Sequence, residues 1–497
     1  AACSFILYWL TPMNAGNPHK NVLLICVDHW SGMLAPTQPH PVLSTPTLNQ
    51  LAARGTSFTR AYSACPISIA ARRSLMTGLS ARTHGDRSVN ERLVMPPVPT
   101  LADTFRGAGY QTFAVGKLHV FPRRSRIGFD EAIINEEGRR NIDGRADDWE
   151  MELSARGFAG MEYATGMANN DYLAMPWHLP DDLHPTNWTA REMSRAIRRR
   201  DPSKAGFWYL SFTAPHPPLC PPRDYWNMYS DDQMQLPSVG SWREAMGSGP
   251  FKCSQYGGGA MFRVDGSNEG DVRRALRAFF ASQTHIDHQI RVVLGMLREE
   301  NLLQDTHIVF LSDHGDMLGH HGLWAKGVMY EPSTRIPLLV VPAAGTERYS
   351  LPHRDDRLAE IRDVMPTLLD LAGIPIPGHV EGHSLLGPTR RSHLYGEHGN
   401  DLHATRMVVE GDYKLIYYPE GNRFQLFHLA EDPEEMCDLA EDPAYRGTRE
   451  VLQDRLKSEL YGGDEAWISE GRWVGLPATE KDFPNPNLSA QRGLRFP

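Results

Sequence analysis

Short, almost wholly apolar runs recur along the chain at Asn21–Val27, Thr112–Gly116, Phe207–Phe212, His307–Ser312 and Ile336–Val341. Runs of this length, rich in Val, Ile, Leu and Phe, predict buried parallel strands. Helical spacing fills the gaps. Thr45 to Arg54 opens with a capping Thr and Pro46 in the first turn, and Pro99 to Gly107 is a similar short helix. Asp271 to Asn301 is longer, with Leu276, Phe279, Ile286, Ile290, Val293 and Leu297 on one stripe. Strands alternating with helices predict an α/β fold, a large doubly wound sheet, mixed but mainly parallel, with helices on both faces. After about residue 385 the texture changes. Met407–Glu410 and Tyr413–Tyr418 flank a Gly-Asp turn, Phe424–Leu429 resembles another strand, and Asp442 to Tyr461 reads as a closing helix.

The expected organisation is an N-terminal extension or leader remnant over 1–18, an α/β domain over 19–385, and a smaller α+β domain with a short antiparallel sheet over 386–497. The polar stretch 125–190, rich in Gly, Trp and Met, reads as long loops that, with 220–265, shape a pocket rim. Cys3 to Leu10 has signal-peptide length but no preceding Lys or Arg, so a cytoplasmic location is favoured slightly over a periplasmic or secreted one. No run reaches membrane-spanning length.

Composition narrows the function. With 51 Lys and Arg against 60 Asp and Glu, the formal charge of -9 argues against sequence-independent nucleic-acid binding. An anionic substrate would have to meet local positive charge in a pocket. Six cysteines with no CxxC or CxH spacing predict neither a zinc site nor a disulfide framework.

In open α/β sheets, ligands bind beyond the carboxyl ends of the strands. The residues there are Asp28-His29, then Lys117 and His119, then His216, then Asp313-His314. Four strands thus deliver acids, bases and cations to one edge. Carboxylates with a His from two strand ends suit a divalent cation, and oxygen-rich ligands favour Ca²⁺, Mg²⁺ or Mn²⁺. Ser63 to Gly78 reads as a loop feeding a helix, with Ser68 near its start and Arg72 one turn later on the same face. A helix N-terminus adds its own preference for an anion.

Ser68-Ile69-Ala70-Ala71-Arg72 followed by Thr77-Gly78 resembles the signature of the sulfatase branch of the alkaline phosphatase superfamily. Cys65 does not fit that register, because Ile69 sits where Arg is required. Gly116-Lys117-Leu118-His119, Pro215-His216-Pro217-Pro218 and the block from Asp313 to Gly319, with His321-Gly322, Lys326, Tyr330-Glu331 and Arg335-Ile336-Pro337, resemble further family segments in order. The likeness runs from about residue 20 to 460, with Asp363 to Gly373 and Asp432-Pro433 among its later parts.

The resemblance implies a sulfuric ester hydrolase acting on a small-molecule or saccharide sulfate ester. It implies that a formylglycine-generating maturation enzyme oxidises Ser68 to formylglycine (3-oxoalanine). The implied ligands of one divalent cation, Ca²⁺ ahead of Mn²⁺ or Mg²⁺, are Asp28, Ser68, Asp313 and His314. The implied catalytic residues are Ser68, Arg72, Lys117, His119, His216 and Lys326. His29 stands where the family usually has Asp, Gln or Asn, and it is left outside the ligand set. Two other functions use the same residues: hydrolysis of a phosphomonoester, phosphodiester or phosphonate monoester, and sulfate-ester binding without catalysis. Arg73 reads as a surface neighbour of Arg72, His285 and His288 as ordinary helix-face residues, His321 as packing near the site, and Trp30 and Trp324 as walls.

Overall fold

A computed structural model of the chain describes residues 19–36, 40–137, 144–167, 170–246, 268–346 and 352–478. The expected leader remnant, Cys3, Cys253 and part of the 220–265 rim lie outside these residues. Eight strands form the main sheet: β1 (Asn21–Val27), β2 (Thr56–Tyr62), β3 (Gln111–Gly116), β4 (Glu131–Ile134), β5 (Gly206–Ser211), β6 (Thr306–Ser312), β7 (Leu338–Val341) and β8 (Arg354–Glu360). Their order is β4-β3-β5-β1-β6-β7-β2-β8.

β1 pairs in parallel with β5 and β6 at the centre, and β7 pairs antiparallel with both its neighbours. The expectation that Ile336–Val341 runs parallel is therefore corrected. The chain between β6 and β7 makes a return at one edge rather than a full crossover, so residues 313–337 all stay at the carboxyl end of β6. β2 and β8 were not legible because TSFTRAY and RDDRLAE carry the polar residues of a strand pair at the sheet margin. β4 and the helices Asp148–Ala155 and Pro185–Arg199 likewise replace the loops expected over 125–190. The second of these helices buries Trp188, Ala190, Met193, Ala196 and Ile197 on one face, with Thr and Ser among them and Arg on the other.

Alternation along β1 divides the core between two layers. Val22, Leu24 and Cys26 pack with Phe105, Leu75 and Leu368 on one face. Leu23, Ile25 and Val27 pack with Leu48, Met193 and Ile290 on the other. Both faces are thus covered, which is why central strands read as unbroken apolar runs.

The second sheet holds β9 (His393–His398), β10 (Thr405–Glu410), β11 (Tyr413–Tyr418) and β12 (Arg423–His428), all antiparallel in the order β12-β11-β10-β9. One face buries Val408, Leu415 and Leu426 against Leu452 and Leu456 of the helix Arg446–Glu459. The other packs Met407, Val409, Ile416 and Phe427 against Tyr62, Met317 and Tyr330 beside the main sheet. Buried Lys414 ties the two parts together, with Nζ 2.7 Å from Glu331 and 2.8 Å from Glu435. Among the described residues no helix is long and apolar enough to cross a membrane.

Candidate active site

Strand ends supply the site residues. Asp28 and His29 follow β1, Lys117 follows β3, and Asp313 and His314 follow β6. His216 lies in the loop after β5. Two further ends contribute where the sequence showed no strand: β2 leads into the helix Ser68–Thr77, and β4 leads into Asn135, Glu136 and Glu137.

Ser68 is the first residue of its helix and is buried. Its Oγ lies 3.2 Å from Asp28 Oδ1 and 2.8 Å from His314 Nε2. One turn on, Arg72 donates from Nε to Asp313 Oδ2 at 2.8 Å, and from one terminal nitrogen to the Lys117 carbonyl, the Tyr209 hydroxyl and Ser211 Oγ at 2.7–2.9 Å. Arg72 therefore fastens β3, β5 and β6 beneath Ser68. Arg73, expected at the surface, is buried and donates to the carbonyls of Val94 and Leu93 at 2.6 and 2.8 Å. Every residue of this helix is buried, so it has no solvent face for Arg73 to occupy.

Lys117 contacts both Asp28 and Glu137 through Nζ. Glu136 accepts the amides of Leu118 and His119 at 2.8 and 2.9 Å, holding that turn, where His119 sits buried at a φ of 56°. Lys326 contacts His29 Nε2. The His29 and His216 rings lie 4.5 Å apart, and His29 and His314 4.7 Å. The structure thus brings Asp28, Ser68, Arg72, Lys117, His216, Asp313, His314 and Lys326 into one cluster, and adds His29.

Hydrogen bonds fix which imidazole nitrogens carry lone pairs. His314 Nδ1 faces the Gly315 carbonyl at 2.8 Å, which only accepts, so Nδ1 carries the proton and Nε2 turns a lone pair toward Ser68 and Asp28. His29 Nδ1 lies 2.6 Å from Asp316 Oδ2, which orients its Nε2 in the same way. Burial, then the charge of Lys326, holds both rings well below the usual histidine range and keeps them neutral. Burial opposes ionisation of Asp28, but the Lys117 ammonium holds its carboxyl well below the usual range. Burial, then Asp28, raises Asp313. Burial lowers Lys326 to about 8.

These donors fit a hard divalent cation. Asp28, His29 and His314 present ligand atoms close enough to share an ion, as do Asp28, Glu137 and His216. His314 Nε2 lies 3.4 Å from Asp28 and 3.7 Å from Asp313, and His29 Nε2 lies 3.8 Å from Asp28, so carboxylate oxygens and ring lone pairs converge on one place, the donor types that such a cation takes.

A model described as sulfatase matches residues 20–374, and one described as N-sulphoglucosamine sulphohydrolase, C-terminal, matches residues 319–461. The chain belongs to the sulfatase family. This sulfatase is 34% identical to an arylsulfatase of Clostridium perfringens (strain 13 / Type A), over 92% of this chain and 98% of that protein. It is 31% identical to a choline-sulfatase of Rhizobium meliloti (strain 1021), over 87% of this chain and 84% of that one. In fold it is similar to the phosphonate monoester hydrolase of Agrobacterium radiobacter, with a TM-score of 0.75, 22% identity, and coverage of 88% of this chain and 95% of that chain. The protein is a sulfatase, an enzyme of sulfate-ester hydrolysis, and its family implies a divalent metal and formylglycine.

Sequence reasoning missed Glu137, Asp316 and Tyr172. Glu137 follows a strand, and the strand-end rule would have found it had β4 been legible. Asp316 stood inside the recognised block without a role; it accepts from His29 and Tyr172 and, through Oδ1, from the amides of Leu318 and Ala325 at 2.9 and 3.1 Å. Tyr172 had no local signal at all. His321 packs against Trp242 and Tyr330, and Trp324 lies against Tyr172 with ring centroids 5.0 Å apart.

Proposed function

We propose that this sulfatase cleaves a sulfate monoester at residue 68, matured from Ser to formylglycine, beside one divalent cation, Ca²⁺ ahead of Mg²⁺ or Mn²⁺. Asp28, Asp313, His314 and residue 68 would hold the cation, with His29 Nε2 as a further donor. The observation that carries this reading is the placement of Ser68 Oγ within 3.2 Å of Asp28 and 2.8 Å of His314 Nε2, with Arg72 and two lysines around them. When present, the cation and the matured side chain supply Lewis acidity and an activated oxygen nucleophile.

The chain's own residues do the rest. Arg72 fixes Asp313 and the Lys117 turn, so the ligand carboxylate and the ammonium group keep their spacing. Lys117 and Lys326 neutralise the sulfate oxygens as charge moves onto them and onto the leaving oxygen. The leaving oxygen needs a proton. His216 Nδ1 already donates to the Pro217 carbonyl at 2.7 Å, so the neutral ring offers only a lone pair at Nε2. Lys326, which carries only N–H donors, is the better-placed acid, and His216 donates only as imidazolium. His119 accepts a proton as sulfate is expelled.

The test is the mass of the tryptic peptide spanning Ser68, from protein made beside a maturation enzyme. Loss of two hydrogens, together with turnover of an aryl sulfate but not of an aryl phosphate and abolition of that turnover by a chelator, is expected. An unmodified Ser68 with aryl phosphate or phosphonate turnover would replace this reading with phosphorus chemistry. Full metal occupancy with neither activity would leave a binding protein.

A further inference from the structure

Behind His29, one buried carboxylate is held from four sides. Asp316 Oδ2 accepts from the Tyr172 hydroxyl and lies 2.6 Å from His29 Nδ1, while Oδ1 accepts the amides of Leu318 and Ala325 at 2.9 and 3.1 Å. Four donors fill the acceptor positions of a carboxylate, so the His29 proton is fixed on Nδ1 and its lone pair on Nε2. The ring has little freedom to turn. His29 is buried at a φ of 61°, in the left-handed region, with the His216 and His314 rings 4.5 and 4.7 Å away. Trp324 backs the Tyr172 ring, with centroids 5.0 Å apart.

We infer that Tyr172 and Asp316 are positioning residues that make His29 a nitrogen ligand, and that this second imidazole raises the affinity of the centre for first-row transition ions relative to Ca²⁺, beyond what an oxygen donor at position 29 would give. The inference rests on the proposed cation centre and names the ions that His29 favours there. Nε2 of His29 and Nε2 of His314 face Asp28 Oδ1 at 3.8 and 3.4 Å, and Ser68 Oγ lies 3.2 Å from the same oxygen. The chain thus offers a ring nitrogen where the family usually has Asp, Gln or Asn, each of which brings an oxygen. Ca²⁺ takes oxygen ligands and gains little from an imidazole, whereas the affinity of a nitrogen-bearing site rises from Mn²⁺ to Co²⁺. A carboxylate behind a ligating imidazole locks its orientation and raises its basicity. Lys326 Nζ also reaches His29 Nε2, so the same lone pair can serve an ammonium or a cation. Only the second role predicts an order among ions.

Calorimetric titration of the matured protein, stripped of metal, with Ca²⁺, Mn²⁺ and Co²⁺ tests this with no ester present. His29→Gln, which supplies an oxygen instead, should weaken Mn²⁺ binding by about tenfold and Co²⁺ binding by more, with Ca²⁺ within about threefold. Asp316→Asn should follow the same order, by about 10–100-fold for Co²⁺, and Tyr172→Phe the same order by less. If Asp316→Asn does not fold, the other two variants decide. Pulsed EPR of the Mn²⁺-loaded parent should show two coupled imidazole nitrogens, and one in His29→Gln. Equal losses for all three ions in the variants would make Tyr172 and Asp316 mere structural supports and overturn the inference. A single nitrogen in the parent, or an ion ratio unmoved by His29→Gln, would also overturn it and leave the lone pair to Lys326. Uptake of none of the three ions by the parent would defeat the cation centre of the proposed function itself, whereas uptake with an unmoved ratio defeats this inference alone.

Discussion

Arg72 illustrates how much one buried side chain can decide. Its guanidinium spans an aspartate after β6, a carbonyl after β3 and two hydroxyls on β5. A lysine keeps the charge but not the planar fork, so Arg72→Lys should lower kcat on an aryl sulfate by about 10²–10³-fold. Arg72→Ala should also destabilise the fold by about 3–5 kcal/mol, because Asp313 is left buried without its cation; urea unfolding at pH 7 measures this. Most of the clustered residues were legible in the sequence at this scale, since a strand end followed by Asp, His or Lys is a local pattern. Glu137 and Tyr172 were not legible, because what makes them matter is contact with Lys117 and Asp316 from distant segments.

Strands and helices set how firmly those residues are aimed. Gly116 ends β3 at a φ of 105°, and a Cβ there would lie 1.7 Å from the Ser211 carbonyl oxygen. Gly116→Ala should therefore displace the adjacent Lys117, costing about 1–3 kcal/mol in stability and most of the sulfatase activity, as thermal unfolding and kcat/KM would show. On the opposite layer, His184 caps the helix Pro185–Arg199, accepting the Thr186 amide at 3.1 Å while facing the Cys220 carbonyl at 3.0 Å. Burial lowers its pKa to about 4, and burial with the neighbouring His184 ring holds His285 on the helix Glu269–Glu299 well below the usual range. Both must charge on unfolding in acid. The stability they contribute is therefore present above the unfolded value near 6.5 and is lost as pH falls toward about 4. Melting temperature should drop between pH 7 and 4.5, and His184→Asn, which can still cap but cannot titrate, should lose less over that interval. The central strands and the long helix were readable from periodicity. The marginal strands and the helix Pro185–Arg199 were not, because half-exposed elements mix polar residues into the pattern.

At the scale of the whole molecule, the second sheet is fastened to the first by an apolar layer and by the buried Lys414 group. Removing the lysine leaves Glu435 without the ammonium that offsets it and Glu331 with Arg335 at 3.8 Å in its place. Lys414→Met should cost about 3–5 kcal/mol, read from urea unfolding followed by intrinsic fluorescence. Because Glu331 belongs to the segment that starts at Asp313 and includes Lys326, sulfatase activity should be lost at lower urea than in the parent protein. The family was legible along most of the chain, since its blocks are short and ordered, and those that carry the clustered residues sit where the backbone leaves the sheet edge.

The amino-acid sequence by itself determined the fold class, the residues at the strand ends and the register of Ser68 with Arg72, because strand burial and helical spacing are written in local order. Only the tertiary structure decided that His29 turns Nε2 toward the same centre, that Glu137 stands between Lys117 and His216, and that Arg73 is buried. Each of those facts is a meeting of segments far apart in sequence, and the packing of the sheet alone sets which side chains meet.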